Sequence, residues 1–183
     1  MSELLTIGHS THELDDFVAL LRGAEIACVA DIRRYPGSRR NPQYSRDELP
    51  GSLAAEGIAY EHLPELGGRR SRAKGGGALN TGWRVAAFAA YADHLRTEEF
   101  ARGRARLSAL AQELRTAIMC AEAPWWRCHR RLVADAFHVS GWTVLHVMPD
   151  GRLVAHEPPD FMVVGIDGIP AYPAGGQLPL LDG

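Results

Sequence analysis

Short apolar runs alternate along the chain with longer stretches in which apolar residues return every three or four positions. That is the pattern of strands interleaved with amphipathic helices. Leu4-Leu5-Thr6-Ile7 reads as a buried strand closed by Gly8, after which Ser10 or Thr11 caps a helix carrying Leu14, Phe17, Val18 and Leu21 on one face. Ile26–Ile32 is a second strand, broken by Tyr35-Pro36-Gly37-Ser38. Ser45, with Glu48 three residues later, forms a capping box for a helix to Glu56. Gly57 stops that helix and Ile58–His62 is a third strand. Leu66–Thr81, rich in Gly and Arg, reads as an exposed, mobile loop. Trp83–Leu95 and Thr97–Leu114 read as helices, Thr116–Cys120 as a strand, Cys128–Ser140 as a helix and Thr143–Val147 as a strand. Leu153–His156 pairs back across the Pro149-Asp150-Gly151 turn. The prediction is an α/β fold, a three-layer Rossmann-like domain with a mostly parallel sheet of about five strands over 1–157. The stretch 158–183, with its prolines and glycines, is expected as a loose tail.

Composition narrows the class. The chain has 183 residues, 46% hydrophobic and 23% charged, which suits one globular domain and excludes a disordered chain. The longest apolar run, Val85–Ala92, is too short to span a bilayer, so no membrane partner is expected. The chain opens without a secretory signal, and three cysteines, an odd number, point to free thiols in a reducing cytoplasm. A net charge of -2 conceals a segregated distribution. Arg33, Arg34, Arg39, Arg40 and Arg46 share one acid-free window; Arg69, Arg70, Arg72, Lys74 and Arg84 share another. Each window alone is equally a solvated face, but two together point to an anion-binding surface.

In a sheet of this kind ligands bind beyond the carboxyl ends of the strands, and reactive residue types collect at those ends. Gly8-His9-Ser10-Thr11 follows the first strand and offers a tight turn with backbone and hydroxyl donors for an anion, or else an ordinary helix cap beside a packed histidine. Asp31 and Arg33 follow the second and, by alternation, share a face. Asp31 is a candidate general base, or the partner that fixes Arg33. Gly67, Gly68 and Arg69 follow the third, and Ser38 and Arg39 extend the anion-binding set. Cys120 and Glu122 end the fourth, followed by Cys128-His129-Arg130. Cys128 at a helix start is a candidate nucleophile assisted by His129 or Glu122, and Arg130 a candidate phosphate clamp. The bland reading of Cys120 and Cys128 is apolar packing. A third reading has Cys120, Cys128 and His129, with His146, binding a metal, but the Cys-x7-Cys-His spacing matches no common zinc pattern and a paired Cys-x-x-Cys is missing, so neither metal nor cofactor is expected. Trp126, beside Trp125, is either a stacking platform for a base or a lid on the core.

These residues resemble a known family. Thr6-Ile7-Gly8-His9-Ser10, the run from Asp31 to Arg39, Leu66-Gly67-Gly68-Arg69, and Cys120-Ala121-Glu122 with Cys128-His129-Arg130 are similar to the motifs of the bacterial and archaeal proteins grouped as domain of unknown function 488, from Thr6 to about His156. The resemblance implies an α/β fold and one shared site built from the four motifs. It implies no activity. A further signal is Gln177-Leu178-Pro179-Leu180-Leu181, which resembles the short peptide by which replication and repair proteins dock on the bacterial sliding clamp. Gln177, Leu178, Leu180 and Leu181 would make the contacts; the alternative is an apolar tail folded back on the domain.

Together these features predict a cytoplasmic, hydrolase-like enzyme acting on nucleic acid or a nucleotide-like anion and linked to DNA repair. The competing readings are a small-metabolite enzyme with Cys128 as nucleophile and a non-catalytic module that binds a nucleotide or the clamp.

Overall fold

Strands buried on both faces must be apolar throughout, and here they are. A computed structural model describes residues 2–37, 39–71 and 78–176. Its main sheet contains β1 (Glu3–Gly8), β2 (Cys28–Asp31), β3 (Ala59–His62), β4 (Thr116–Cys120), β5 (Thr143–Val147) and β6 (Leu153–Ala155) in the order β3-β2-β4-β1-β5-β6. The first five are parallel and β6 closes the edge antiparallel to β5. Alternation splits each strand between two cores. Leu5, Ile7, Val29, Ala117 and Met119 pack on α1 (Leu14–Gly23) and α2 (Leu49–Ala55). Leu4, Ala30, Ile118 and Val144 pack on α3 (Ala86–His94), α4 (Glu98–Glu113) and α5 (Arg130–His138). The result is the expected three-layer α/β arrangement, with six strands in the sheet instead of about five. Fully buried residues such as Leu21, Leu107 and Phe137 each contribute about 1.5–3 kcal/mol relative to exposure.

Strand order positions the site. From β2 the chain moves outward to β3, whereas from β4 it crosses β1 to reach β5. The connections part at the carboxyl ends of β2 and β4, which opens a crevice there.

Helix starts differ from the sequence expectation where turns intervene. Neither Ser10 nor Thr11 caps α1: Glu13 holds the cap position without a side-chain bond, because Ser10, at φ 49, belongs to the turn after β1. The Ser45 hydroxyl does accept from the Glu48 amide at 3.3 Å, yet α2 begins only at Leu49. A 3₁₀ turn at Trp125–Arg127 delays α5 to Arg130. Thr97 caps α4 as its sequence suggests, accepting from the Phe100 amide at 3.2 Å.

Within the stretch expected as a tail, residues 170–173 are held against the domain. β7 (Val163–Val164) pairs with β8 (Pro170–Ala171), and Tyr172 is fully buried among Trp83 and Phe161. Of the expected 66–81 loop, residues 72–77 lie outside the described residues; 3₁₀ turns at Pro64–Leu66 and Ala78–Asn80 flank them. No helix among the described residues is long and apolar enough to cross a membrane.

Candidate active site

The turn after β1 lies directly against the loop after β4. The His9 amide donates to the Cys120 carbonyl at 3.0 Å and the Ser10 amide to the Ala121 carbonyl at 2.9 Å, extending the parallel ladder beyond both strands. Gly8 permits this approach, since a Cβ there would collide with the Glu122 carbonyl and come within 2.9 Å of the Ala123 Cα. His9 stacks on Tyr44 with centroids 4.0 Å apart. Its Nδ1–H donates to the Ser10 carbonyl at 2.9 Å, so Nε2 accepts from Arg33 Nη1 at 3.2 Å. Burial, then the Arg33 charge, lowers its pKa to about 4, which keeps the ring neutral at pH 7.

Asp31 anchors this arrangement. Its carboxylate is 0% exposed and accepts from the Arg33 amide at 3.0 Å, Arg33 Nε at 2.9 Å, Arg33 Nη2 at 2.6 Å and the Tyr60 hydroxyl at 2.8 Å. Arg33 Nη2 also donates to the Tyr44 carbonyl at 2.8 Å. Asp31 is not among the described residues lining the cleft, and with its carboxylate occupied by these donors it holds Arg33, as the reading of Asp31 as the partner that fixes Arg33 expects.

Cys120, Cys128 and His129 converge on the α5 side. His129 Nε2–H donates to the Ile32 carbonyl at 3.2 Å. Nδ1 therefore faces the two sulfurs, 3.6 Å from Cys128 Sγ and 3.9 Å from Cys120 Sγ. The three donor atoms lie within 4.8 Å of one another. Gly68 leaves room beside Nδ1, which a Cβ would approach to 2.8 Å. The hydrogen bond with Cys128, then burial, raises the Cys120 thiol well above its ordinary range. Burial opposes ionisation of Cys128 as well, but the hydrogen bond with Cys120 and the neighbouring His129 ring outweigh it and hold that thiol well below the usual range.

A cleft of about 770 Å³ opens over these groups. Its described lining brings together the predicted His9, Ser10, Thr11, Arg33, Gly68, Arg69, Cys120, Glu122, Cys128 and His129. Ser10 and Arg69 sit there in the left-handed region, at φ 49 and 58, a cost that functional sites often carry. Glu122 is exposed on the wall, and its carboxyl is raised by partial burial and by the neighbouring Cys128. Arg34 and Arg127 also line the cleft and were not among the expected site residues. Their signals were available: Arg34 follows Arg33 in an acid-free window, and Arg127 directly precedes Cys128.

Other expected residues lie elsewhere. Arg130 is 1% exposed and donates to the carbonyls of Glu122 and Ala123, so it braces the loop from beneath and is no surface clamp. Gly67 is outside the lining, where a Cβ would meet the Arg34 backbone. Trp126, 45% exposed, stands edge-on to Trp125, and neither it nor exposed Arg39 is among the described lining residues. Ser38 and the Gln177, Leu178, Leu180 and Leu181 peptide lie outside the described residues.

Behind the cleft runs a buried polar chain that sequence reading missed. Tyr172 Oη donates to Asp135 at 2.7 Å and His156 Nε2 to the same carboxylate at 2.8 Å. That bond fixes His156 Nδ1 as acceptor for His146 Nε2–H at 3.0 Å, and His146 Nδ1 as acceptor for the Thr6 hydroxyl at 2.7 Å. Trp125 stacks on His146 with centroids 3.9 Å apart. Burial, then His156, lowers the His146 pKa to about 3.

Comparison with curated proteins and with solved structures yields no match. The family comparison does: residues 13–137, a span that contains Asp31, Arg69, Cys120, Cys128 and His129, match the family described as Domain of unknown function DUF488, and the chain belongs to that family.

Proposed function

We propose that the protein is a cytoplasmic, hydrolase-like enzyme whose cleft holds a nucleotide-like or nucleic-acid anion. The observation that carries this reading is the charge of the cleft wall. Arg33, Arg34, Arg69 and Arg127 face a single carboxylate, Glu122, among the described lining residues. Arg33 is held by Asp31, whereas Arg34, Arg69 and Arg127 form no ion pair with a described residue. Uncompensated guanidinium groups around a concave surface focus positive potential and favour phosphate, which they can grip bidentately. His9 adds a neutral ring and the turn after β1 adds backbone donors. Glu122 is the side chain on this wall suited to transfer a proton during hydrolysis. The absence of a dinucleotide fingerprint in the sequence favours hydrolysis over hydride transfer. The tail peptide would bring this activity to the sliding clamp during DNA repair.

Titration of a fluorescent nucleoside monophosphate and of a short single-stranded DNA, at two salt concentrations, tests the reading. Arg69→Glu and Arg127→Glu are expected to weaken both ligands by about tenfold or more each, with steeper salt dependence for the DNA. Arg39→Glu, off the cleft, is expected to weaken only the DNA. Glu122→Gln is expected to retain binding and lose turnover. Binding indifferent to Arg69→Glu and Arg127→Glu together would rule out the cleft as the anion site. Calorimetric titration into the clamp, with a Gln177→Ala, Leu180→Ala variant as control, reads the tail separately.

A further inference from the structure

The cluster at the floor of the cleft carries an inference that does not depend on the substrate. We propose that Cys120, Cys128 and His129 form a mononuclear site for a zinc-class divalent cation, with its fourth position open to the cleft.

Geometry is the first support. A tetrahedral centre with Zn–S near 2.3 Å and Zn–N near 2.0 Å holds each nitrogen–sulfur edge at about 3.5 Å and its sulfur–sulfur edge at about 3.8 Å. His129 Nδ1 lies 3.6 Å from one sulfur and 3.9 Å from the other, with all three donors inside 4.8 Å. A thiol paired with a general base needs one short sulfur–nitrogen contact; two nearly equal contacts to one nitrogen match the edges of a coordination polyhedron.

The second support is the outer shell. A histidine that binds metal through one nitrogen almost always donates its other N–H to a carbonyl or carboxylate, which fixes the tautomer. His129 Nε2–H is so held by the Ile32 carbonyl, leaving the Nδ1 lone pair aimed at the sulfurs. Gly68 keeps the space beside that nitrogen clear of any side chain.

The third is charge. Arg130 is buried, forms no ion pair with a described residue, and its Nε has no partner. A buried guanidinium requires a counter-charge nearby, and two metal-bound thiolates would supply it. With a divalent cation between them, the centre keeps a surplus of positive charge for hydroxide or an anionic substrate. Two thiolates and one imidazole are soft donors that select zinc over magnesium or calcium.

The Cys-x7-Cys-His spacing conceals this site because Cys120 ends β4 whereas Cys128 and His129 precede α5. The intervening loop folds back, held by Arg130. Two cysteines, a histidine and a non-ligand glutamate form the set with which zinc deaminases activate water. Glu122, on the same cleft wall, would serve as that glutamate. A zinc ion in such a site brings the pKa of a bound water to about 7.

The test uses the full chain, purified under reducing, oxygen-free conditions, stripped with chelator and titrated with cobalt(II) and then zinc. The expected result is one equivalent of cobalt, with a thiolate charge-transfer band and the strong visible bands of tetrahedral coordination, both displaced by zinc and unaffected by magnesium. Cys120→Ser, Cys128→Ser and His129→Gln are each expected to weaken binding by more than about 100-fold, the upper range for loss of an outer-shell partner alone. Cys28→Ser, at the opposite end of β2, is expected to leave the bands intact. Circular dichroism checks that each variant folds, and the wild-type spectrum needs no variant. No thiolate band in the wild-type protein, or a band that survives in both Cys120→Ser and Cys128→Ser, would overturn the proposal. The nucleotide titrations above are read without metal, so either proposal can fail while the other stands.

Discussion

Asp31 illustrates how a reactive residue type becomes a structural one. A carboxylate on the cleft would need a free oxygen; here every donor nearby converges on it, and Arg33 is its ion-pair partner at 2.6 Å. Removing one member of a buried pair leaves the other charge uncompensated, which costs about 3–5 kcal/mol. Asp31→Ala is therefore expected to lower the free energy of unfolding by that amount, read from the urea midpoint at constant slope. A loss below about 1 kcal/mol would show that Arg33 finds water or another partner instead. Sequence alone made half of this arrangement legible. Alternation along a strand put Asp31 and Arg33 on one face, because residues two apart always share one. Their other partners, Tyr60 at 29 positions from Asp31 and Tyr44 at 11 from Arg33, come from other elements. No local pattern announces them, so the choice between base and anchor stayed open. The same distance in sequence hid the chain from Thr6 through His146, His156 and Asp135 to Tyr172.

Elements with a complete hydrophobic period were readable, and their ends were less so. β4 and β5 fall where continuous apolar runs place them, and α1 buries the Phe17, Val18 and Leu21 face its spacing predicts. β7 and β8, with two residues each, are too short to show any period. They are held by tertiary contacts such as the Tyr172 amide to the Leu79 carbonyl at 2.9 Å and Arg96 Nη1 to the Pro170 carbonyl at 2.9 Å. Gly8 reads in sequence as a turn residue, but its structural reason is the neighbouring loop. Gly8→Ala would drive a methyl into the Glu122 carbonyl, with backbone on both sides. Relief requires the 121–123 loop to move and the His9 and Ser10 amides to lose their carbonyls. Overpacking of this kind costs about 1–3 kcal/mol, and for a chain of this size each kcal/mol lowers the melting temperature by about 2–4 °C. Gly51→Ala is the control: nothing lies within 4 Å of its Cβ in α2, and a helix gains up to about 1 kcal/mol from that exchange. Calorimetric melting should therefore move in opposite directions for the two variants. A Gly8→Ala protein as stable as wild type would mean the 121–123 loop yields freely.

At the scale of the molecule, two neutral histidines flank β1 on opposite sides of the sheet. His9 is packed on Tyr44 towards α1 and α2, and His146 under Trp125 towards α5. Each has a folded pKa, about 4 and about 3, below the ordinary histidine value of 6.5. Between those values the unfolded chain binds protons that the native protein excludes, so acid favours unfolding. His94, lowered mainly by burial, acts in the same direction. Glu122, raised mainly by burial, acts in the opposite direction. The histidine share of stability should consequently be present above about pH 6.5 and fall as pH drops towards 4. The slope approaches about 1.4 kcal/mol per pH unit for each excluded proton. Glu99 and Asp150, held down by Arg70 and Arg152, lose their contributions only at lower pH, below 4.5 and 3.8. The interval from pH 5 to pH 6.5 therefore lies above the contributions of Glu99 and Asp150, and His146→Gln separates the histidine share within it. Urea unfolding at pH 5.0 and pH 7.5 should give a lower midpoint in acid, and His146→Gln should flatten the dependence whatever it does to stability at pH 7.5. Equal midpoints for the wild-type protein would mean that both rings accept protons in place. The relay to Asp135 would then have to carry charge, and the neutral, Arg33-facing nitrogen of His9 would be lost from the cleft wall.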